Sequence, residues 1–237
     1  MSTKKEIIDE IVRIEWEMFQ GVNEGGDRSP CQEDPKTFSA MRRAQYNAWP
    51  EDVCRLLLED FQKAYEEGRN LVAEKYIHMM RTTDPEQYDL AIESIPQPSE
   101  EQKRLAREIN DQLIKETEAV FQEYPYLAKA SRPLRASEDT PVATSIETYQ
   151  LGELYTYSEA VLRALGDYVA QSARAGKSVA RQMLENTVRH YGYLNLIEAN
   201  YGIKEKLELA EKPLIFESDC DSCELDSCDG CSRCSGC

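Results

Sequence analysis

The sequence predicts an all-α protein: a helical bundle of about eight helices built from two pseudo-symmetric halves, with a disordered Cys-rich C-terminal tail. Three observations carry this reading. Apolar residues recur at three- and four-residue spacing along most of the chain, while no convincing period-2 run occurs and β-branched clusters are few. Helix start and stop signals punctuate the same segments. The stretch from Ser137 to Tyr193 also repeats, in worn form, the stretch from Gln32 to Met80.

The elements follow in order. Thr3 with Glu6 spells a capping box, and the helix it opens carries Ile7, Ile8, Ile11, Val12, Ile14, Met18 and Phe19 as far as Gly21. Asp34 followed by Pro35 reads as an N-cap with proline at the first helical position, where the missing N–H costs nothing. That helix runs toward Asn47. Pro50 restarts the chain into a helix with Val53, Leu56, Leu57, Phe61 and Ala64 on one face, ended by Gly68. Asn70 caps a short helix to about Met80. The three prolines between Thr82 and Pro98 mark the boundary between the halves. Ser99 with Gln102 opens the next helix, to about Gln122. Thr140-Pro141 repeats the cap-then-proline signal, and Thr156 with Glu159 suggests a third capping box, for a helix that ends at Gly176. A helix from about Val179 to His190 follows, and Asn195 with Glu198 caps a last piece before Pro213. The expected organisation is a first helical half over residues 1–82, a second over 99–212, and an acidic tail over 213–237.

An offset of 108 positions registers the two copies. It sets Trp49 on Tyr157, Val53 on Val161, Leu57 on Leu165, Gly68 on Gly176 and Leu71 on Val179. Smaller shifts match Glu33-Asp34 with Glu138-Asp139 and Phe19-Gln20 with Phe121-Gln122. This period is far longer than a solenoid unit, so the expectation is a duplicated half-domain and not an array.

The chain has 237 residues, 41% hydrophobic and 30% charged, and a formal net charge of −16. It can bury a sizeable core as one domain or as two intimately packed halves. The charge argues against binding a nucleic-acid backbone, which needs clustered Lys and Arg. It suits a cation, a metal or a basic partner surface. The N-terminus MSTKKEIIDE has no apolar run of signal-peptide length, and no stretch approaches the roughly 20 apolar residues of a membrane span. A cytoplasmic protein is expected, with no membrane partner and no nucleic acid; the oligomeric state is open.

The phrases EWEMFQGVNEGG, CQEDPKTFSAMRRAQYNAWP, EGRNLVAEKY, SEDTPVATSIETYQLGELYTYS and LENTVRHYGY resemble a bacterial family of unknown function, the one numbered 4125 among such domains. The resemblance covers roughly Lys4 to Ala199 and leaves out the cysteine tail. It implies homology and no particular activity. Some relatives stand near nucleotidyltransferase-like domains, which implies an interaction module for such a protein partner.

Six of the eight cysteines, Cys220, Cys223, Cys228, Cys231, Cys234 and Cys237, follow the pattern C-x2-C-x4-C-x2-C-x2-C-x2-C among Asp, Ser and Gly. Such a composition cannot build an apolar core. Two residues between thiols let neighbouring sulfurs converge, and thiolate suits zinc, copper(I) or an iron–sulfur cluster. C-x2-C-x2-C resembles the bacterial ferredoxin run, without its proline and C-x3-C step. Four residues between the pairs are too few for a zinc ribbon, whose knuckles stand some 15 to 20 apart. A metal ion or iron–sulfur cluster is therefore the expected cofactor, its identity open. Vicinal disulfides and a site of modification are the competing readings. Cys31 and Cys54 lie outside the spacing and read as small buried hydrophobes.

Acids fall on apolar stripes. Glu15 shares one with Ile8, Ile11 and Met18, and Glu153 shares one with Val142, Ile146 and Tyr149. The twin of the second stripe is Phe38, Met41 and Gln45, so an amide stands where the other copy has a carboxylate. Glu116 lies among Ile109, Leu113 and Val120. A buried acid is costly unless paired, and Arg42, Arg43, Lys75 and tyrosines are the available partners. Glu74 and His78 stand four apart, a spacing that can share an ion; the Glu-x-x-His pair of di-iron bundles is missing. These patterns admit two readings, a satisfied buried network or an enzyme pocket between the halves that takes a small-molecule ligand. In the enzyme reading Glu15, Glu153 and Glu74 are the catalytic carboxylates, with Arg42, Gln45, Glu147, Tyr149 and Tyr157 binding the ligand. Phosphate loops, Ser–His–Asp orders and H-E-x-x-H are absent.

Overall fold

The computed structural model describes residues 2–22 and 30–211. Among these the chain is all-helical. The helices are α1 (Lys4–Gln20), α2 (Pro35–Asn47), α3 (Glu51–Glu66), α4 (Leu71–Thr83), α5 (Pro85–Ala91), α6 (Glu100–Glu123), α7 (Pro125–Lys129), α8 (Ile146–Leu154), α9 (Glu159–Arg174), α10 (Val179–His190) and α11 (Leu196–Glu211). The only extended pairing among the described residues is a lone bridge between Thr140 and Ala143. These eleven exceed the expected number of about eight: nine correspond to the segments read in order from the sequence, and Pro85 and Pro125 each start a further short helix, α5 and α7, inside segments read as connections. No helix among the described residues is long and apolar enough to cross a membrane.

Most terminators are the ones the sequence announces. Thr3 and Ser99 form full capping boxes, and Asp34 and Asn70 each accept from a first-turn N–H; Ser178, which the sequence reading does not name, does the same for α10. Gly68 and Gly176 both adopt φ of 70°, a conformation that strains any residue with a Cβ, and both follow the end of a helix. Arg69 N–H then reaches Ala64 O at 2.8 Å, and Lys177 N–H reaches Ser172 O at 2.9 Å, closing the same wide turn twice.

Two starts differ from expectation. Thr140-Pro141 caps nothing: Thr140 and Ala143 exchange backbone hydrogen bonds in a tight turn, and α8 begins only at Ile146 with Ser145 as its cap. The Asp139 carboxylate holds this register by accepting from Ser145 N–H at 2.6 Å and from the Thr148 hydroxyl. Val142 is consequently 95% exposed and not on the buried stripe, and Met41 of the twin stripe is exposed too. Likewise Ser158, not Thr156, caps α9, since the Thr156 hydroxyl is spent on Glu153 O at 2.8 Å.

Residues 1–204 form one compact unit and the chain from Glu205 on another, of which the end of α11 is described. Within the first unit two long helices act as hubs. α1 packs on α2, α3 and α4; α6 packs on α8, α9 and α10. The groups join where α3 meets α9, where α2 lies on α10 and where α4 lies on α8. The main core gathers Ile7, Ile11, Val53 and Leu57 with Ile109, Leu113, Leu162 and Leu165, all 2% exposed or less. Each such aliphatic side chain contributes roughly 1.5–3 kcal/mol when fully buried. The α4–α8 contact is close enough that a Cβ on Gly152 would stand 2.9 Å from Met79 Cγ and 3.0 Å from Lys75 O. That approach sets Lys75 beside the carboxylate of the next residue, Glu153.

Candidate functional site: a buried charge cluster between the hubs

Arg42 on α2 lies at the centre of the seam and is 6% exposed; Glu15 on α1 and Glu153 on α8 are 3% and 6% exposed. Its guanidinium grips both carboxylates. Arg42 Nε donates to Glu15 Oε2 at 2.9 Å, and a terminal nitrogen lies 2.8 Å from Glu15 Oε1. The two terminal nitrogens donate to Glu153 Oε2 at 2.9 Å and Oε1 at 2.8 Å. Gln45 Oε1 accepts from Arg42 at 3.0 Å, and the Tyr46 hydroxyl oxygen accepts as well. A planar fork that serves two carboxylates at once is a task for Arg, not Lys.

Glu153 gathers still more donors. Tyr157 donates its O–H at 2.6 Å and Gln45 Nε2 donates at 2.7 Å. Lys75 Nζ stands 3.6 Å away and donates to the Tyr149 hydroxyl at 2.9 Å, its charge 4.3 Å from the centre of that ring. The cluster balances two cations against two carboxylates, as a buried ionic group requires. Burial pushes Glu153 up, but the Arg42 and Lys75 charges and the Arg42 and Tyr157 hydrogen bonds more than offset it, holding the carboxyl well below its ordinary range. Burial likewise pushes the Tyr46 and Tyr157 phenols well above theirs, keeping both protonated. At neutral pH Glu153 is therefore held as a carboxylate and Tyr46 and Tyr157 as neutral phenols.

The sign of the pH dependence follows. Glu153 titrates lower in the folded chain than its ordinary 4.5, so its contribution to stability is complete above about pH 4.5 and lost as pH falls toward the folded value. Denaturant unfolding between about pH 6 and pH 3 should show this acid loss in the native sequence and a flatter limb in Glu153→Gln, which is weaker at pH 6. An equally steep limb in the variant assigns the acid sensitivity elsewhere.

Five residues singled out in the sequence thus meet in one network: Glu15, Arg42, Gln45, Glu153 and Tyr157. Tyr149 joins through Lys75. Two do not meet it. Glu74 is buried but engaged by Arg69 at 2.9 and 2.7 Å. Glu147 Oε2 accepts from Ala136 N–H at 2.7 Å and anchors the loop before α8. Glu116 accepts from Gln112, from the Ser178 hydroxyl and from Ala180 N–H, at 2.9, 2.9 and 3.0 Å, and so supports the first turn of α10. Tyr46 and Lys75 belong to the seam without having been named as site residues; Tyr46 stands four after Arg42 on the same face, which is the signal for it. Cys54 is buried, and burial pushes its thiol up to about 11, so it is inert.

Among the described residues no three His, Cys, Asp or Glu side chains converge as a metal site requires. The six tail cysteines, Cys220 to Cys237, and Cys31's side chain lie outside the described residues. No curated protein and no solved structure matches the chain. Residues 5–201 match the family described as Protein of unknown function (DUF4125), a span that takes in both hubs and the whole charge cluster and stops short of the six C-terminal cysteines. The chain belongs to that family.

Proposed function

We propose that this protein handles a soft metal ion or an iron–sulfur cluster through thiolates of its C-terminal segment, with the helical body as a rigid carrier. The observation that carries the reading is the spacing of Cys220, Cys223, Cys228, Cys231, Cys234 and Cys237. Six thiols within eighteen residues, mostly two apart, match soft-metal coordination far better than a packed fold. The cysteines would hold the metal as thiolates and supply its sulfur donors. Acidic neighbours raise free thiol pKa values, so loading with a cation is what releases the protons. The chemistry of the body is compatible with a carrier role: Glu153 is already engaged by donors from Arg42, Gln45 and Tyr157 in a charge-paired buried cluster.

The body itself is best read as a doubled unit. Two pairs of residues related by the 108-position offset touch each other: Gln45 donates to Glu153 at 2.7 Å, and the Trp49 and Tyr157 rings meet edge-on at 6.3 Å. In a twofold arrangement residues touch their own counterparts only beside the axis, so these contacts support a reading in which the axis would lie at this seam. The packing scheme supports the same reading, since α1, α2, α3 and α4 correspond to α6, α8, α9 and α10, each set around its own hub.

The test of the carrier reading is elemental analysis of anaerobically purified protein, full-length and ending at residue 217. Full-length protein is expected to carry metal, with sulfur-to-metal charge-transfer absorption, and the shortened chain to lose both. An equal metal load in the two rejects the reading.

A further inference from the structure

A group of side chains unrelated to the seam converges where α4, the start of α6 and the end of α8 meet. His78, on α4, lies half-buried with its ring edge-on to Tyr155, centroids 5.3 Å apart at 66°. Tyr155 follows α8 directly, and its hydroxyl oxygen accepts from Arg107 Nε at 3.3 Å. Lys103 stands one turn before Arg107 on the same face of α6.

The group is unusual in this chain. With a net charge of −16 and most arginines tied to a carboxylate, Arg107 has no ion-pair partner among the described residues. Lys103 pairs with Glu100 at 2.8 Å, but that carboxylate's side chain is 87% exposed, and such a surface contact is weak and readily exchanged. The His78 imidazole has a ring contact and no hydrogen-bond partner among the described residues. Burial, helped by the Lys103 charge, pushes it down to about 4, so at neutral pH it offers one N–H and one free lone pair. The Tyr155 oxygen accepts from Arg107, which leaves its own O–H free to donate.

We propose that Arg107, Lys103, Tyr155 and His78 form a binding site for a small oxyanion of the phosphate type. Two cations supply the charge, a phenol and an imidazole supply directed donors, and the four come from three elements, as a tetrahedral anion with several acceptor oxygens requires. Exposed Glu100 is the one carboxylate attached to the group, and a bound anion displaces it from Lys103. The proposal is independent of the metal reading, because every residue in it lies in the described body.

The chain has two histidines, so His78 can report on the site with His190 as an internal control. The imidazole C–H resonances of the reduced full-length protein would be titrated in inorganic phosphate, chloride and acetate at matched ionic strength. Phosphate is expected to raise the His78 midpoint by about one pH unit or more, as an adjacent anion does, and to leave His190 in place. Equilibrium dialysis of phosphate at pH 7 should show about tenfold weaker binding in Arg107→Gln, a substitution at an exposed position that leaves the fold intact. Identical midpoints in phosphate and chloride, an equal rise in acetate, or undiminished binding by Arg107→Gln would each overturn the assignment.

Discussion

Arg42→Met is expected to destabilise the protein by about 3–5 kcal/mol, the cost of removing one partner from a buried ionic group. Methionine matches the length of the arginine stem but returns none of the hydrogen bonds to Glu15, Glu153 and Gln45. Two carboxylates then lie within the core with Lys75 as the single remaining cation, 3.6 Å from Glu153. Denaturant unfolding followed by circular dichroism would measure the loss. The triple variant Glu15→Gln, Arg42→Met, Glu153→Gln should recover a large part of it, because no charge is stranded. A loss below about 1 kcal/mol for Arg42→Met alone would mean that water reaches the cluster and screens it.

The second large effect is expected at Trp49. Its side chain is 3% exposed and packs edge-on against Tyr46 at 5.4 Å and Tyr157 at 6.3 Å. Trp49→Ala should cost about 3–5 kcal/mol through lost burial and the cavity left beside the charge cluster. Trp49→Phe should cost far less than Trp49→Ala. The indole Nε1 is buried without a partner among the described residues, so phenylalanine removes an unmet donor along with part of the ring. Thermal unfolding of the two variants separates the contributions. Equal losses would show that the indole's size, and not aromatic packing as such, holds the seam.

The seam was legible in the sequence to the extent that periodicity fixes which way a side chain points. Glu15 shares a face with Ile8, Ile11 and Met18, and the Thr3 capping box sets that helix's register from the sequence itself. Glu153 was legible for a partly wrong reason. Ile146, Tyr149 and Glu153 do lie on one helix, but Val142, read as part of that stripe, precedes the helix and faces solvent. The error arises from Asp139, whose carboxylate claims Ser145 N–H and the Thr148 hydroxyl across six and nine residues. Such a bond competes with the local cap signal of Thr140-Pro141, and nothing in a window of a few residues reveals it. Glu74 shows the other limit: its inward direction is readable, while its partner Arg69, behind the turn at Gly68, is a matter of loop path. Which acid meets which base is decided by the approach of α2, α4 and α8, and amphipathic spacing is silent on that.

The way α2 lies on α10 and α4 on α8 has a consequence for how this chain can be divided. Neither hub owns a finished interior, since each lends two helices to cover the other's. A fragment cut between Ala91 and Ser99 would hold one hub with apolar faces bare and Arg42 deprived of Glu153. The two groups of helices are thus not separate units of folding: unfolding is expected to be all-or-none across both hubs, and severed pieces are expected to regain order only by finding one another.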